Sequence, residues 1–115
     1  MGNRVVISGL GVLSPIGLTT KAFWTALCAG KSGISGITKF DVSDFDARIA
    51  GELKGFVPED HMGRKEARRL DEYVQFAVVA TQMALEDSGL DLDSEDRERV
   101  GVVIGSGVGG IQTFE

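Results

Sequence analysis

The stretch Arg99-Val-Gly-Val-Val-Ile-Gly-Ser-Gly-Val-Gly-Gly-Ile111 decides the fold. Its apolar, mostly β-branched residues 100–104 predict a buried strand, and a glycine turn, residues 105–110, follows at once. A strand that leads into such a turn normally continues into further structure, but only four residues follow Ile111. We therefore expect this chain to be the front part of a larger protein.

A second strand is predicted over residues 4–13. Its β-branched residues cluster without alternation, which is typical of a strand buried on both faces. Thr19 or Thr20 is then expected to cap a helix that runs to about Ala29, with Gly30 as its stop.

The middle of the chain is less regular. We expect a loop over residues 31–36, a short strand within residues 48–56, and a short helix at residues 58–60, where proline suits the first turn.

The best-defined element is a helix over residues 71–88, with Asp71 as its expected cap and Gly89 as its stop. Apolar residues cover much of its circumference, so this helix is expected to be largely buried. Its small residues should let another backbone approach closely; they are Ala77, Ala80 and Ala84. The order strand, helix, irregular segment, helix, strand predicts an α/β fold with crossover connections.

Composition excludes several classes of protein. Hydrophobic residues make up 43% of the 115 residues and charged residues 25%, as in ordinary globular domains. The net charge of −5 argues against a general nucleic-acid binder. No stretch approaches the roughly 20 apolar residues of a membrane span, and no targeting segment is recognisable. We expect a cytoplasmic protein with neither nucleic acid nor a membrane as partner.

The glycine turn matches the pattern G-x-G-x-x-G of dinucleotide-binding folds. That fold also needs a helix, a second strand and an acidic residue about 20 residues further on, and the sequence ends before these. A similar pattern begins at Gly9, but Ser14 occupies its third glycine position and Pro15 follows. We favour close packing between strands and helices for both patterns, with dinucleotide binding as an alternative.

Three blocks of sequence, in this order and spacing, resemble the amino-terminal part of β-ketoacyl-[acyl carrier protein] synthases, nearest to type II of fatty-acid synthesis. The resemblance covers essentially all 115 residues. It implies a layered α/β thiolase fold in a homodimer, with residues 1–115 as an incomplete first half of the amino-terminal half. The blocks are residues 5–17; residues 23–34 with 40–45 and 48–51; and residues 64–71 with 84–90 and 100–110.

The resemblance also implies an activity. Such enzymes condense malonyl-carrier protein with an acyl thioester by decarboxylative Claisen condensation, and need no metal or organic cofactor. A cysteine holds the acyl group, while two histidines assist decarboxylation and stabilise negative charge. None of these three residues matches a position here, so we expect no catalytic residue and no condensing activity in this chain alone. Cys28 is expected to be a packing residue and His61 a loop residue.

One site carried over from the resemblance is Val108, the apolar residue of the glycine turn. In the family this position faces the acyl-chain pocket near the dimer interface, where its size would influence which chain lengths fit. The alternative is simple packing at the end of a strand.

The second site is the basic segment, residues 64–69, with four cations in six residues of an acidic chain. In the family it helps to dock the acidic acyl carrier protein, chiefly through the positions of Arg68 and Arg69, with Lys65 contributing. A cationic patch steers an acidic partner electrostatically. The alternative is a solvated helix face or internal salt bridges to nearby carboxylates.

Two relatives of the synthases stay open as alternatives: a non-catalytic partner subunit that shares the fold, and a piece of a polyketide ketosynthase. On its own, the chain is expected to aggregate or oligomerise, because the helix over residues 71–88 would expose Val78, Val79 and Met83, and the strand ending at Ile104 would lack a neighbour.

Overall fold

The structure, a computed structural model, describes residues 2–114 apart from the side chains of Gln112 and Phe114. The chain divides into two compact units, one formed by Val12–Phe56 and the other by Met1–Gly11 with Val57–Glu115. The first unit contains α1 (Thr20–Cys28), β1 (Ile34–Gly36) and β2 (Ile49–Gly51). The second contains α2 (Arg64–Ala67), α3 (Glu72–Ser88), α4 (Ile111–Phe114) and two 3-10 turns, Pro58–Asp60 and Arg97–Arg99.

Helix α1 begins where its sequence predicts. The Thr19 Oγ1 accepts a hydrogen bond from the Ala22 N–H at 3.1 Å, which satisfies one of the amide groups that a helix start leaves unpaired. The helix ends at Cys28, and the Gly30 N–H bonds to the Leu27 carbonyl at 3.0 Å. The predicted cap and stop are both confirmed.

A short hairpin follows α1. Strand β1 pairs antiparallel with β2, and Ser35 lies opposite Ala50. The strand predicted within residues 48–56 is therefore confirmed, while the loop predicted for residues 31–36 is confirmed for residues 31–33 and wrong for residues 34–36. Residues 34–36 become a strand because they pair with residues 49–51, and such a non-local partner is not visible in the glycine-rich local sequence.

The carboxylate of Glu52 closes the loop between the two strands. Glu52 is buried, and its two oxygens accept hydrogen bonds from the Thr38 N–H at 2.9 Å, the Thr38 hydroxyl at 2.8 Å and the Lys39 N–H at 3.2 Å. Hydrogen bonds to the charged form, first from the Thr38 backbone and then from its hydroxyl, lower the pKa of Glu52. Arg48 adds a second brace, from its Nε to the Phe45 carbonyl at 3.0 Å.

Helix α3 is the packing centre of the second unit. It ends at Ser88, and the next residue, Gly89, has a φ of +64°, the left-handed conformation that glycine adopts without strain. A Cβ on Gly11 would overlap the Ala80 carbonyl oxygen, and one on Gly9 would overlap that of Ala84. The backbone before residue 12 thus lies directly on α3, which confirms the prediction of a close approach at its small residues.

The exposure of α3 differs in part from expectation. Val79 was predicted to be exposed in the chain alone, but it is only 1% exposed. Val78 and Met83 are half-buried. The predicted exposure of Val79 in this chain was therefore wrong. None of the described helices is both long and apolar enough to span a membrane.

The two strands predicted at residues 4–13 and 100–104 do not form among the described residues. Both segments have neither helix nor strand, and Val5 is 94% exposed and Val103 is 96% exposed. The predicted burial of residues 4–13 was therefore wrong here. A strand needs a neighbouring strand to pair with, and within residues 2–114 neither segment pairs with one. Helices and the hairpin together still give an α/β chain.

Candidate functional site

The basic segment lies on α2 and the turn that follows it. Arg64 and Lys65 are on the helix, while Arg68 and Arg69 are in the turn, and all four side chains are exposed. Ala67, 5% exposed, is the one buried residue of this segment. Within the described part of the chain, none of the four cations forms an ion pair. The structure therefore argues against internal salt bridges for these four charges and leaves them exposed.

Two of the predicted docking residues come together. Lys65 and Arg69 are four residues apart, a spacing that places side chains on one helical face. They line a cavity of about 430 Å³ together with Gly63, Glu66 and Leu70. Arg68 does not line it, so the cations point to more than one side of the segment.

A glutamine on α3 holds this segment in place. The Gln75 side-chain amide donates hydrogen bonds to the carbonyl oxygens of Ala67, at 2.8 Å, and Leu70, at 3.0 Å. Sequence reasoning missed Gln75. The available signal was a single amide side chain within the largely apolar run of residues 73–80, because a half-buried amide requires partners.

The glycine turn lies against the start of α3. Gly109 has a φ of +76°, and its N–H bonds to the Ser106 Oγ at 3.0 Å. A Cβ on Gly110 would overlap the Asp71 carboxylate. Val108 stands 74% exposed on this turn.

Asp71 has a different role from the one predicted. It occupies the cap position of α3, but its side chain makes no capping hydrogen bond. Its carboxylate instead accepts a hydrogen bond from the Thr113 hydroxyl. Asp71 is therefore the N-cap residue, as predicted, but the predicted side-chain capping bond is absent, and its Oδ1 bonds to Thr113 instead.

An apolar groove of about 460 Å³ runs along α3. It is lined by residues of that helix from Tyr73 to Gln82 and by Val102 and Ile104. Val108 is not among its lining residues. The groove offers almost no polar group, so it suits an apolar side chain or acyl chain and not a nucleotide phosphate.

The two remaining candidates lie at the surface, and the packing role expected of Cys28 was wrong. Cys28 is exposed at the end of α1, and His61 is exposed beside the 3-10 turn Pro58–Asp60. In the portion of the chain that the structure describes, no three His, Cys, Asp or Glu side chains cluster in a way that would hold a metal ion.

Comparison with solved structures identifies the fold. The ishigamide ketosynthase/chain length factor superposes with a TM-score of 0.65 at 35% identity, over 76% of this chain and 22% of that chain. A type II PKS acyl-carrier protein in complex with its ketosynthase bound to the hexaketide gives 0.60 at 27% identity, over 84% of this chain and 25% of that chain. The α/β ketosynthase fold, which is thiolase-like, is confirmed.

Comparison with curated sequences also finds ketosynthases. The chain is 48% identical over 112 residues to 3-oxoacyl-[acyl-carrier-protein] synthase 2 of Vibrio cholerae serotype O1 (strain ATCC 39315 / El Tor Inaba N16961), and equally to that of Staphylococcus aureus (strain COL). Each match covers 97% of this chain but 27% of the relative, so the chain spans about a quarter of the length of these curated relatives.

The family model described as "Beta-ketoacyl synthase, N-terminal domain" matches residues 2–115. The match includes the glycine turn, which is therefore part of this domain and not of a separate dinucleotide-binding domain. The chain belongs to the β-ketoacyl synthase family, within the N-terminal domain.

Proposed function

We propose that this chain is the amino-terminal portion of a 3-oxoacyl-[acyl-carrier-protein] synthase, which condenses malonyl-carrier protein with an acyl thioester and releases carbon dioxide in fatty-acid elongation. The relatives that support this carry that name and are 48% identical. The chain supplies scaffold and docking surface, while the nucleophilic cysteine and both histidines come from the remainder of the enzyme, a homodimer.

The observation that carries the docking role is the exposed, unpaired basic segment. Its cations form no ion pair within the described residues, so their charge is available to an acidic partner. Electrostatic steering needs such exposed charge of one sign, and here it lies on a chain whose overall net charge is −5. We assign acyl carrier protein docking to Arg68 and Arg69, with Lys65 contributing.

A second candidate is a polyketide ketosynthase or its non-catalytic partner subunit. One structural neighbour is titled as a type II PKS complex, and another as a ketosynthase/chain length factor. Their identities of 35% and 27% are lower than the 48% of the fatty-acid relatives, so the fatty-acid assignment is preferred.

A chimera tests the assignment. Residues 1–115 replace the matching part of the Vibrio cholerae relative, and condensation of malonyl- and acyl-carrier protein is measured. We expect activity from the chimera and none from the 115-residue chain. A folded chimera that binds carrier protein but does not condense would contradict the enzyme assignment and favour the partner-subunit alternative.

Charge reversal in the chimera tests the docking role. The pair Arg68→Glu and Arg69→Glu is expected to weaken carrier binding at least about tenfold, the equivalent of ~1.4 kcal/mol. The matched control is Lys21→Glu with Lys31→Glu, two exposed lysines of the other unit, which changes the net charge equally. If both pairs weaken binding to the same extent, only net charge matters and the docking site is wrong.

A further inference from the structure

The two cations assigned to docking lie between the two carbonyl groups that Gln75 holds. Ala67 directly precedes Arg68, and Leu70 directly follows Arg69. The Gln75 amide spans this interval, because its nitrogen lies 2.8 Å from one carbonyl oxygen and 3.0 Å from the other. One side chain on α3 thus fixes both ends of the Arg68–Arg69 peptide.

The basic segment has little internal support. Helix α2 has only four residues, far fewer than a helix needs to be stable by itself. The Glu66 and Ala67 N–H groups bond to the Gly63 carbonyl at 2.9 Å, but the Arg68 N–H bonds to the Arg64 carbonyl at a long 3.3 Å, and the Arg69 N–H bonds to that of Glu66 at 2.9 Å. Its geometry must therefore depend on contacts to the rest of the unit, chiefly buried Ala67 and the Gln75 amide.

Gln75, which supports the basic segment, is itself held in a regular helix. Gln75 is in the first turn of a 17-residue helix, where the N–H of Gln75 is bonded to the Asp71 carbonyl at 3.0 Å. Its side chain is half-buried, so losing the amide donors would leave two carbonyls without their partner and release the turn.

We infer that Gln75 is a positioning residue for carrier docking: it holds the backbone on both sides of Arg68 and Arg69, so that the two guanidinium groups meet the acidic partner together. This inference rests on the proposed docking function. Preorganisation of this kind gives affinity by lowering the ordering cost of binding, without any contact between Gln75 and the partner.

The test uses the chimera and holo acyl carrier protein, with Kd measured across a series of salt concentrations. Gln75→Met removes both donors at similar volume and no change in charge. Gln82→Met, an exposed glutamine two turns further along α3, is the matched control. Gln75→Lys restores N–H donors from an ammonium group, which carries three. Arg69→Glu reports separately on the docking function.

We expect Gln75→Met to weaken binding roughly three- to tenfold and to flatten the dependence of log Kd on log salt, because fewer ionic contacts form at once. Mere loss of folded protein would lower the active fraction but leave this slope unchanged. Gln82→Met should match the parent, and Gln75→Lys should give a salt slope at least as steep as the parent's, because it restores N–H donors and adds one cation. If Arg69→Glu weakens binding but Gln75→Met leaves Kd and slope unchanged, the positioning role is wrong; if Arg69→Glu has no effect, the docking proposal fails and the inference fails with it.

Hydrogen exchange gives a second readout that does not depend on the partner. In Gln75→Met, the amides of Arg68 and Arg69 should exchange faster, while those in the centre of α3 keep their protection. Unchanged protection of Arg68 and Arg69 would overturn the inference, and so would a Gln75→Lys variant that exchanges as fast as Gln75→Met. If Gln75→Met does not fold, the exchange rates of Arg68 and Arg69 are compared between Gln75→Lys and the parent, and faster exchange in Gln75→Lys would contradict the inference.

Discussion

Gly11 lies so close to the Ala80 carbonyl oxygen that there is no room for a side chain at position 11. A Cβ at this position would overlap that oxygen and also come within 2.8 Å of the Ala84 nitrogen. The obstacle is helix backbone, which cannot move aside as a flexible side chain can. The glycine therefore sets the distance between the first residues of the chain and α3.

Replacing this glycine should destabilise the protein. We expect Gly11→Ala to lower the free energy of unfolding by about 1–3 kcal/mol, the usual cost of overpacking a tight interior. Gly101→Ala is the matched control, since a Cβ there meets nothing within 4 Å, and it should change stability by less than about 0.5 kcal/mol. Denaturant unfolding of the chimera measures both, and equal effects would refute the packing argument.

Local chemistry in the sequence predicts α1, α3 and their stops well. Thr19 and Gly89 act on residues one or two turns away, so a linear reading is sufficient. A linear reading of the sequence fails where a residue distant in the chain determines the local structure. Residues 34–36 form a strand because they pair with residues 49–51, and the Asp71 side chain bonds to Thr113 instead of to an amide at the start of α3. Gln75 was missed for the same reason, since its two acceptors belong to another element.

In the candidate site, too, the sequence predicts the local features but not those that depend on residues distant in the chain. The four cations of the basic segment and the lone apolar residue of the glycine turn are visible in the sequence, because charge and glycine spacing are local properties. Which cations share a cavity, Lys65 and Arg69, depends on how α2 and its turn fold, and only the structure shows it.

Loss of the Glu52 charge should loosen the hairpin loop. Glu52→Gln removes a charged acceptor of three hydrogen bonds, so we expect a melting temperature several degrees lower at neutral pH. Because the folded-state pKa is lowered, the unfolded chain binds the proton more readily. The extra stability of the parent over Glu52→Gln is therefore fully present at pH values well above 4.5, the ordinary pKa of the carboxyl group. It is lost as the pH falls through the lower pKa of the folded state.

Thermal unfolding between neutral and strongly acidic pH checks this prediction. Asp44→Asn, an exposed carboxylate of the same loop, is the control and should show little change. If the melting temperatures of Glu52→Gln and the parent differ by the same amount at every pH, the role of the charge is contradicted.

The exposed apolar segments should make the 115-residue chain self-associate. Val5 and Val103 are almost fully exposed and belong to apolar runs, which favour association between chains. Light scattering should give a mass above the 12.2 kDa of one chain. Val103→Lys should increase the monomer fraction, whereas Asn3→Lys, which adds the same charge at an exposed polar position, should not. A monomer with cooperative unfolding would contradict the prediction.

Cys28 should take no part in acyl transfer. Its thiol is exposed, and no hydrogen bond from any described residue reaches it, whereas a catalytic thiol is activated by an adjacent base or cation. Incubation of the chain with an acyl thioester should leave its intact mass unchanged, although a maleimide should label the same thiol. In the chimera, Cys28→Ser should keep condensation within about twofold of the parent. Acyl transfer to Cys28 would overturn the scaffold role.

Val108 should influence the acyl chain length that the chimera accepts. We propose that its side chain, exposed here on the glycine turn, faces the acyl pocket of the complete enzyme. A larger side chain fills such a pocket and excludes long substrates first, so Val108→Phe should lower kcat/KM for a long acyl group roughly tenfold or more, with a smaller effect on a short one. Val108→Ala should leave the short substrate unchanged. Val103→Phe adds the same volume five residues earlier, and an equal loss there would show that the effect belongs to folding and not to the pocket.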